Sequence, residues 1–467
     1  MIALSASEIA KIVGGTLHGE DVMVTAPLVV DSRKAQPGSA FIAIVGEQVD
    51  GHDFVADAFK FGAVLALTSR RVTGNHIVVA DVIIALSQIA AHVRLQLPNL
   101  TVIGITGSQG KTTTKELLAA VLSSAGKTIS PQGNLNNEIG VPLVLLNCQS
   151  DTKFCIVEMG ARHQGDIAHL CQIAKPQIGV VLRVGSAHLG EFGSMAAIAQ
   201  TKSEMISSLS SEGIAILGDY DQYTPQMAKL HPGRTVTFGE NQECDIRATD
   251  IEVREGCAHF DLVTPEGRSA VGLRIAGLHQ VSNALAAAAV ATVAGLSLDQ
   301  IASGLSMAQS HAKWRMEIEE IGSLVLINDA YNASPEASAA ALRTLALFAQ
   351  ERGGESWALL GKMHELGESS AKDHAAIGTL ASELGIDHLV CIAADEYASA
   401  LTEQDAISVH RYLNKSGVAD IAMNFNPGDV VLIKASRSEK FEELAEAVKG
   451  LWQKKIDEAI KENGAAQ

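Results

Sequence analysis

The chain has 467 residues, more than one hydrophobic core usually serves, so two or three domains are expected. Apolar residues make up 47% of it and charged residues 19%, which excludes a disordered chain. A formal net charge of −17 argues against nucleic acid as a partner, and six cysteines without a Cys-x-x-Cys pair indicate neither a zinc site nor a disulfide framework.

Residues 1–81 alternate short apolar runs with helical segments, which predicts a small N-terminal α/β domain. No basic leader or long apolar segment opens the chain, so we expect a cytoplasmic protein without membrane insertion. Two polar motifs follow apolar runs or turns, Asp31-Ser32-Arg33 and Asp50-Gly51-His52-Asp53-Phe54. Ligands often bind at such places, although the residues alone favour Asx turns with a solvated ion pair.

Residues 82–312 form the predicted central domain, which a helix over 82–97 connects to the first. Strands and helices alternate from residue 102 to residue 217, which is typical of a parallel sheet covered by helices. Residues 246–275 change to short strands with alternating polar residues, and we expect them to add a small antiparallel β element to the same domain.

A phosphate-binding loop is predicted in this domain, between the apolar strand 102–105 and a helix. Its residues are Gly107-Ser108-Gln109-Gly110-Lys111-Thr112-Thr113. The backbone amides and the helix N-terminus can bind phosphates, Lys111 can reach the outer phosphates, and the Thr112 hydroxyl can bind Mg²⁺. The spacing departs from the usual motif, leaving Thr-Gly-x-x-Gly-Lys-Thr. A plain glycine turn with a helix cap is the alternative, but the order strand, loop, helix favours ATP binding.

Two further residues follow apolar strands and could reach this loop. Glu158 ends the run 154–157, and His188 follows the run 180–184 after a Gly-Ser-Ala turn. A carboxylate, an imidazole and the Thr112 hydroxyl suit a hard cation when phosphate oxygens complete the shell. Each residue taken singly is typical of a solvated strand end, and only their joint placement predicts a magnesium site.

Residues 313–467 repeat the alternation of strand and helix and predict a third, Rossmann-like domain. It contains no G-x-G-x-x-G motif, so nothing there indicates a dinucleotide. A charged amphipathic helix is predicted over residues 440–461.

The phosphate-loop sequence resembles the ATP loop of the Mur ligases, which departs from the usual spacing in the same way. The likeness continues in order along almost the whole chain, through Gly133-Asn134-Leu135-Asn136-Asn137-Glu138, Val157-Glu158-Met159-Gly160, Ala187-His188-Leu189, Gly277-Leu278-His279-Gln280-Val281-Ser282-Asn283, Asp329-Ala330-Tyr331-Asn332-Ala333-Ser334-Pro335 and Lys434-Ala435-Ser436-Arg437. The N-terminal motifs and Gly361-Lys362-Met363-His364-Glu365 resemble the member that adds D-alanyl-D-alanine to UDP-N-acetylmuramoyl-tripeptide.

That resemblance implies an ATP-dependent amide ligase of peptidoglycan synthesis with two peptide-like substrates. The carboxylate of the tripeptide would attack the γ-phosphate of ATP, and the amine of D-alanyl-D-alanine would then attack the resulting acyl phosphate. The resemblance also implies a monomer. It leaves open whether the third residue of the tripeptide is diaminopimelate or lysine.

The resemblance assigns roles residue by residue. Nucleotide binding falls to the loop from Gly107 to Thr113, with Asn283 at the adenine and Arg315 and Asp329 at the phosphate and ribose. Thr112 and Glu158 would hold one Mg²⁺, and His188 with a carbamylated Lys202 would hold a second. Lys111, Lys202 and His188 are the catalytic candidates. The substrate-binding candidates are Ser32, Arg33, His52, Phe54, Asn136 and Asn332.

Three positions depart from the family pattern: Gln280 and Asn328 replace residues of similar hydrogen-bonding capacity, whereas Lys362 replaces an aspartate. The charge reversal at Lys362 leaves its loop, and part of the D-alanyl-D-alanine pocket, without an assigned role.

The sequence leaves two other functions open. Folylpolyglutamate synthase has the same architecture but starts close to its ATP domain, and an ATP-driven switch would use the loop to control a partner interface.

Overall fold

The computed structural model describes residues 1–131, 133–187, 189–309 and 312–465, with side chains to residue 461. Within these ranges the strands form a five-stranded, a nine-stranded and a six-stranded sheet and one two-stranded ribbon. The larger sheets follow one another along the chain, and helices pack against them. The three-part α/β architecture predicted from the sequence is confirmed, whereas the boundaries at residues 81 and 312 stay a prediction.

The first sheet has the order β2-β7-β6-β5-β4 and is parallel except where β2 meets β7. Strands β1 and β3 pair separately in the ribbon. The elements of this part are β1 (Leu4–Ser5), α1 (Ala6–Val13), β2 (Thr16–His18), β3 (Met23–Val24), β4 (Leu28–Val29), β5 (Ser39–Ile42), α2 (Val55–Lys60), β6 (Ala63–Thr68) and β7 (His76–Val78).

The nine-stranded sheet begins after α3 and contains the predicted phosphate loop. Its elements are α3 (Val82–Leu95), β8 (Thr101–Thr106), α4 (Lys111–Leu122), β9 (Thr128–Ile129), α5 (Gly140–Leu146), β10 (Phe154–Glu158), α6 (Asp166–Ala174), β11 (Ile178–Val181), α7 (Leu189–Phe192), α8 (Met195–Ser207), β12 (Ile214–Gly218), β13 (Arg234–Gly239), β14 (Ile246–Arg254), β15 (Cys257–Thr264), β16 (Gly267–Ala276), α9 (Gln280–Val293) and α10 (Leu298–Met307).

The order of this sheet, β16-β15-β14-β13-β12-β11-β8-β10-β9, puts β8 between β11 and β10. Pairing is parallel from β9 to β14 and antiparallel from β14 to β16, so the expected antiparallel element is confirmed as an extension of the same sheet. The alanines of α9, residues 286–289, are fully buried against α4 and the sheet. Their small side chains let the two helices approach closely, which places the start of α9 beside the start of α4.

The six-stranded sheet has the order β17-β18-β22-β19-β20-β21, and only the pairing of β17 with β18 is antiparallel. Its elements are β17 (Glu317–Ile321), β18 (Leu324–Asn328), α11 (Pro335–Arg352), β19 (Ser356–Leu360), α12 (Ser370–Glu383), β20 (His388–Ile392), β21 (Ser408–Tyr412), β22 (Val430–Lys434) and α13 (Glu442–Ala465). Strands β17 and β21 lie at the edges and carry polar side chains, so they lack the apolar run that marks the inner strands.

The position of α11 links the last two units. Near its C-terminus, the ring of Phe348 fills the space over Gly256, where an added Cβ would lie 1.9 Å from Phe348 Cε2. The amide of Gly256 donates a hydrogen bond of 3.1 Å to Glu351 Oε2 of the same helix. The helix therefore lies along the central domain. None of the described helices is long and apolar enough to cross a membrane.

We predict that Gly378→Ala destabilises the third unit, because its Cβ would lie 1.6 Å from the backbone oxygen of Tyr397. The expected loss is about 1–3 kcal/mol of unfolding free energy, the range for overpacked sites. Gly450→Ala is the matched control, since that glycine is also helical and has no atom within 4 Å of an added Cβ.

Urea unfolding followed by tryptophan fluorescence measures this loss in the third unit, because the three tryptophans of the chain, Trp314, Trp357 and Trp452, all belong to it. Equal midpoints for the two alanine variants would contradict the prediction.

Candidate active site

The loop between β8 and α4 has the geometry of a phosphate cradle. Gly110, the residue before α4, has φ +82°, a left-handed conformation that favours glycine. A Cβ at this position would also lie 2.2 Å from Oδ1 of Asn283 in α9. The first three amides of α4 have no acceptor within the helix and can bind an anion, and Asn283 lies against the loop.

The Lys111 ammonium group bridges the loop and donates a hydrogen bond of 2.8 Å to the carbonyl oxygen of Gly107. Burial lowers the pKa of Lys111, and the nearby Glu158 carboxylate opposes that shift. A partly buried ammonium whose partner is a neutral carbonyl oxygen is poorly compensated. A phosphate oxygen would be a stronger partner, because a hydrogen bond between two charged groups is stronger than one to a neutral acceptor.

Glu158, at the end of β10, is buried beneath the loop. Its Oε2 accepts from the Thr112 hydroxyl at 3.1 Å, and its Oε1 accepts from the Asn136 side-chain amide at 3.0 Å. Hydroxyl and carboxylate oxygens are the ligands that Mg²⁺ prefers, so this pair fits a magnesium ion whose other ligands are water and phosphate. Within the described ranges, no group of three His, Cys, Asp or Glu side chains could hold a metal unaided.

Lys202, in α8, is buried in the same region. Desolvation lowers its pKa to about 7, and the positive charge of Lys111 adds to the effect. Its amine is therefore partly neutral near neutral pH and able to act as a nucleophile. His188, the other predicted ligand of a second ion, lies outside the described residues.

The third domain presents its own polar residues to the loop. Asp329, after β18, accepts from Lys434 Nζ at 2.5 Å and from the Met316 amide at 3.1 Å. The guanidinium carbon of Arg315 lies 3.7 Å from the centre of the Tyr331 ring. The positive charge of Arg315 also lowers the pKa of Lys111. Cations from two domains therefore meet at one place, which favours an anionic ligand there.

One cavity of about 1580 Å³ lies between these elements. The predicted site residues that line it are Ser108, Gln109, Gly110, Lys111, Thr112, Thr113, Asn136, Glu158, Lys202, Asn283, Arg315, Asp329 and Asn332. Of the predicted nucleotide and metal residues, Gly107 does not line this cavity and His188 lies outside the described residues; the others surround a single space, and their individual roles stay predictions.

The four substrate candidates of the N-terminal domain, Ser32, Arg33, His52 and Phe54, do not line that cavity. The ring of His52 is buried, with Nδ1 2.6 Å from Asp50 Oδ1, and its Nε2 accepts from the amide of Ser69 at 3.0 Å. Both ring nitrogens are therefore engaged within the domain. Arg33 is exposed and pairs with Asp31 at 2.9 Å. These contacts are those expected of Asx turns and ion pairs, and substrate binding by the four residues stays a prediction.

Three residues of the cleft region had no role assigned from the sequence. Lys434 ends the buried strand β22. A charged residue at the end of an apolar run is the same pattern that singled out Glu158. Lys115 is fully buried and donates to the carbonyl oxygen of Gly133 at 2.7 Å, but its place in a helical pattern gave no sign of this contact. Glu336 contacts the phosphate loop across the domain boundary, and no local pattern reports such a contact.

Comparison with known proteins gives a consistent result. Family models match residues 27–110 (Mur ligase family, catalytic domain), 105–291 (Mur ligase middle domain) and 314–437 (Mur ligase, glutamate ligase domain). A UDP-N-acetylmuramoyl-tripeptide--D-alanyl-D-alanine ligase of Mycobacterium tuberculosis is 38% identical over 499 residues, covering 96% of this chain and 98% of the relative.

Comparison with solved structures also finds Mur ligases. MurF from Acinetobacter baumannii superposes with a TM-score of 0.86 at 33% identity, covering 96% of this chain and 99% of that one. MurF ligase from Thermotoga maritima, solved in complex with ADP, has a TM-score of 0.80 at 30% identity and covers 92% and 99%.

We predict that Gly110→Ala weakens ATP binding by at least about tenfold, equivalent to about 1.4 kcal/mol, because the added Cβ requires a strained φ and collides with Asn283. Gly295→Ala is the control, since that glycine of the same domain has φ +85° but open space around it. Isothermal titration with ATP measures both variants. Equal affinities would show that the loop geometry at Gly110 is unimportant for the nucleotide.

Proposed function

The chain belongs to the Mur ligase family, and on that premise we propose that it joins D-alanyl-D-alanine to the terminal carboxylate of UDP-N-acetylmuramoyl-tripeptide. ATP is consumed, and ADP and phosphate are released. The observation that carries the proposal is the cavity in which the phosphate loop of one domain faces Arg315, Asp329 and Lys434 of the next. Relatives that bear this activity in their names match the chain almost end to end.

The first chemical demand is electrostatic, since the carboxylate of the tripeptide must attack the γ-phosphate of ATP and both are anions. Lys111 and the amides at the start of α4 offset the phosphate charge, and Arg315 adds a cation from the third domain. The attack forms an acyl phosphate and releases ADP. Closure of the cleft protects this intermediate from water, which would otherwise hydrolyse it.

The second step forms the amide bond. The neutral amine of D-alanyl-D-alanine attacks the acyl carbon, a tetrahedral intermediate collapses, and phosphate leaves with the former carboxylate oxygen. The chain must hold the amine and the acyl group within reach of each other, because correct positioning removes much of the entropic barrier. Asn136 and Asn332 line the cavity from opposite domains and are the substrate-binding candidates best placed for this.

Magnesium suits the same site. Thr112 and Glu158 would hold the ion, and when bound it neutralises phosphate charge and orients the transferring group. A carbamylated Lys202 would contribute to a second site together with His188. We also infer that the enzyme acts in the cytoplasm, where ATP is supplied, and that it is a monomer, which rests on the family resemblance alone.

We predict that phosphate release requires both substrates together with ATP and Mg²⁺. Lys111→Ala should reduce it by about 10²–10³-fold, because removing one charge-stabilising donor has effects of that size. Lys60→Ala, an exposed lysine of the first domain, is the control and should leave the rate unchanged. Phosphate release with neither substrate would reject the ligase and favour an ATP-driven switch.

We also predict that Lys202 reacts with carbon dioxide. The ammonium first loses one proton; the neutral amine then adds to CO₂ and loses a second proton, so a cation becomes a carbamate anion. Because its pKa is about 7, the reactive form increases as pH rises through 7. Activity should fall in buffer depleted of CO₂ and return with bicarbonate, and Lys202→Arg should be inactive in both. Full wild-type activity without CO₂ would contradict carbamylation.

A further inference from the structure

We propose that Glu336 is a positioning residue that couples closure of the third domain to the geometry of the phosphate loop. This inference goes beyond the proposed function and rests on it. Glu336 is the second residue of α11, and its carboxylate lies between two loops of the central domain.

The first contact is with the phosphate loop itself. The side-chain amide of Gln109 donates to Glu336 Oε2 at 3.1 Å and to the Ser334 hydroxyl at 3.0 Å. Ser334 is also the N-cap of α11, where it accepts from the Ala337 amide. An amide nitrogen has two hydrogens, so both donors of Gln109 are used by the start of one helix of the third domain.

The second contact is with the loop that follows β11. Ser186 donates to Glu336 twice, from its amide to Oε1 at 2.8 Å and from its hydroxyl to Oε2 at 2.9 Å. This loop is itself joined to the phosphate loop, because the Ser108 hydroxyl donates to Gly185 O at 2.9 Å and accepts from the Gly185 amide at 2.8 Å. Glu336 therefore completes a hydrogen-bonded ring around Gln109, Ser108 and Ser186.

The contacts of Glu336 therefore depend on the position of α11. Glu336 reaches these donors only when α11 lies on the central domain, so its bonds form with closure and are lost on opening. Hydrogen bonds to a carboxylate are stronger than neutral ones, which makes the closed state the one in which both loops are held. Loss of the carboxylate should affect the closed, reacting state more than the first binding of ATP to the loop.

The experiment compares Glu336→Ala, Gln109→Ala and the double variant in the full chain, measuring kcat and the KM of ATP. Glu336→Ala should lower kcat by about 10- to 100-fold, the loss expected for hydrogen bonds to a charged group, and change the KM of ATP by less than about threefold. The double variant should lose less than the combined losses of the two single variants, because both changes remove the bond between Gln109 and Glu336. Glu351→Gln is the control at the other end of α11, where Glu351 accepts from Gly256.

A second readout does not depend on the reaction. Hydrogen exchange at the Ser186 amide, with ADP as the added ligand, should be faster in Glu336→Ala than in the wild type and unchanged in Glu351→Gln. If wild-type enzyme shows no substrate-dependent phosphate release, the proposed function fails, and the exchange result still decides the Glu336 contact. Unchanged exchange, additive losses in the double variant, or an equal loss in Glu351→Gln would overturn the proposal.

Discussion

Negative charge is the constraint on which the cleft depends. The chain carries a formal charge of −17, yet the proposed reaction brings a carboxylate and a triphosphate together. The cations are therefore concentrated: Lys111 lies in the loop, Lys202 is buried nearby, and Arg315 approaches from the next domain. Burial, together with the repulsion of the neighbouring cation, lowers the pKa values of both lysines, so the cleft favours an anionic ligand.

Two sheets with mainly parallel strands provide this arrangement, because the carboxyl ends of their parallel strands face one another. The loop after β8 and Glu158 at the end of β10 come from one sheet, and Asp329 and Lys434 come from the other. Neither edge holds all the groups that the chemistry needs. The helix α11 contacts the central domain at both ends, so the relative position of the sheets decides whether the site is complete.

Much of this could be predicted from the sequence, for physical reasons. A glycine loop between a buried strand and a helix is a local pattern, and Glu158 stands out because a carboxylate at the end of an apolar run is costly unless it is used. The edge strands β17 and β21 were not predicted, because polar residues interrupt the apolar run that identifies the inner strands. Glu336 was also missed, since its partner Gln109 is 227 residues away and first-turn glutamates are common at helix starts.

The proposed reaction requires that the tripeptide carboxylate itself attacks ATP in this cleft. The most direct test labels both oxygens of that carboxylate with ¹⁸O and examines the released phosphate by mass spectrometry. An acyl phosphate requires one labelled oxygen in the phosphate for each amide bond formed, because the oxygen that attacked phosphorus leaves with it. Unlabelled phosphate would mean that water attacks ATP, and the ligase account would then be wrong.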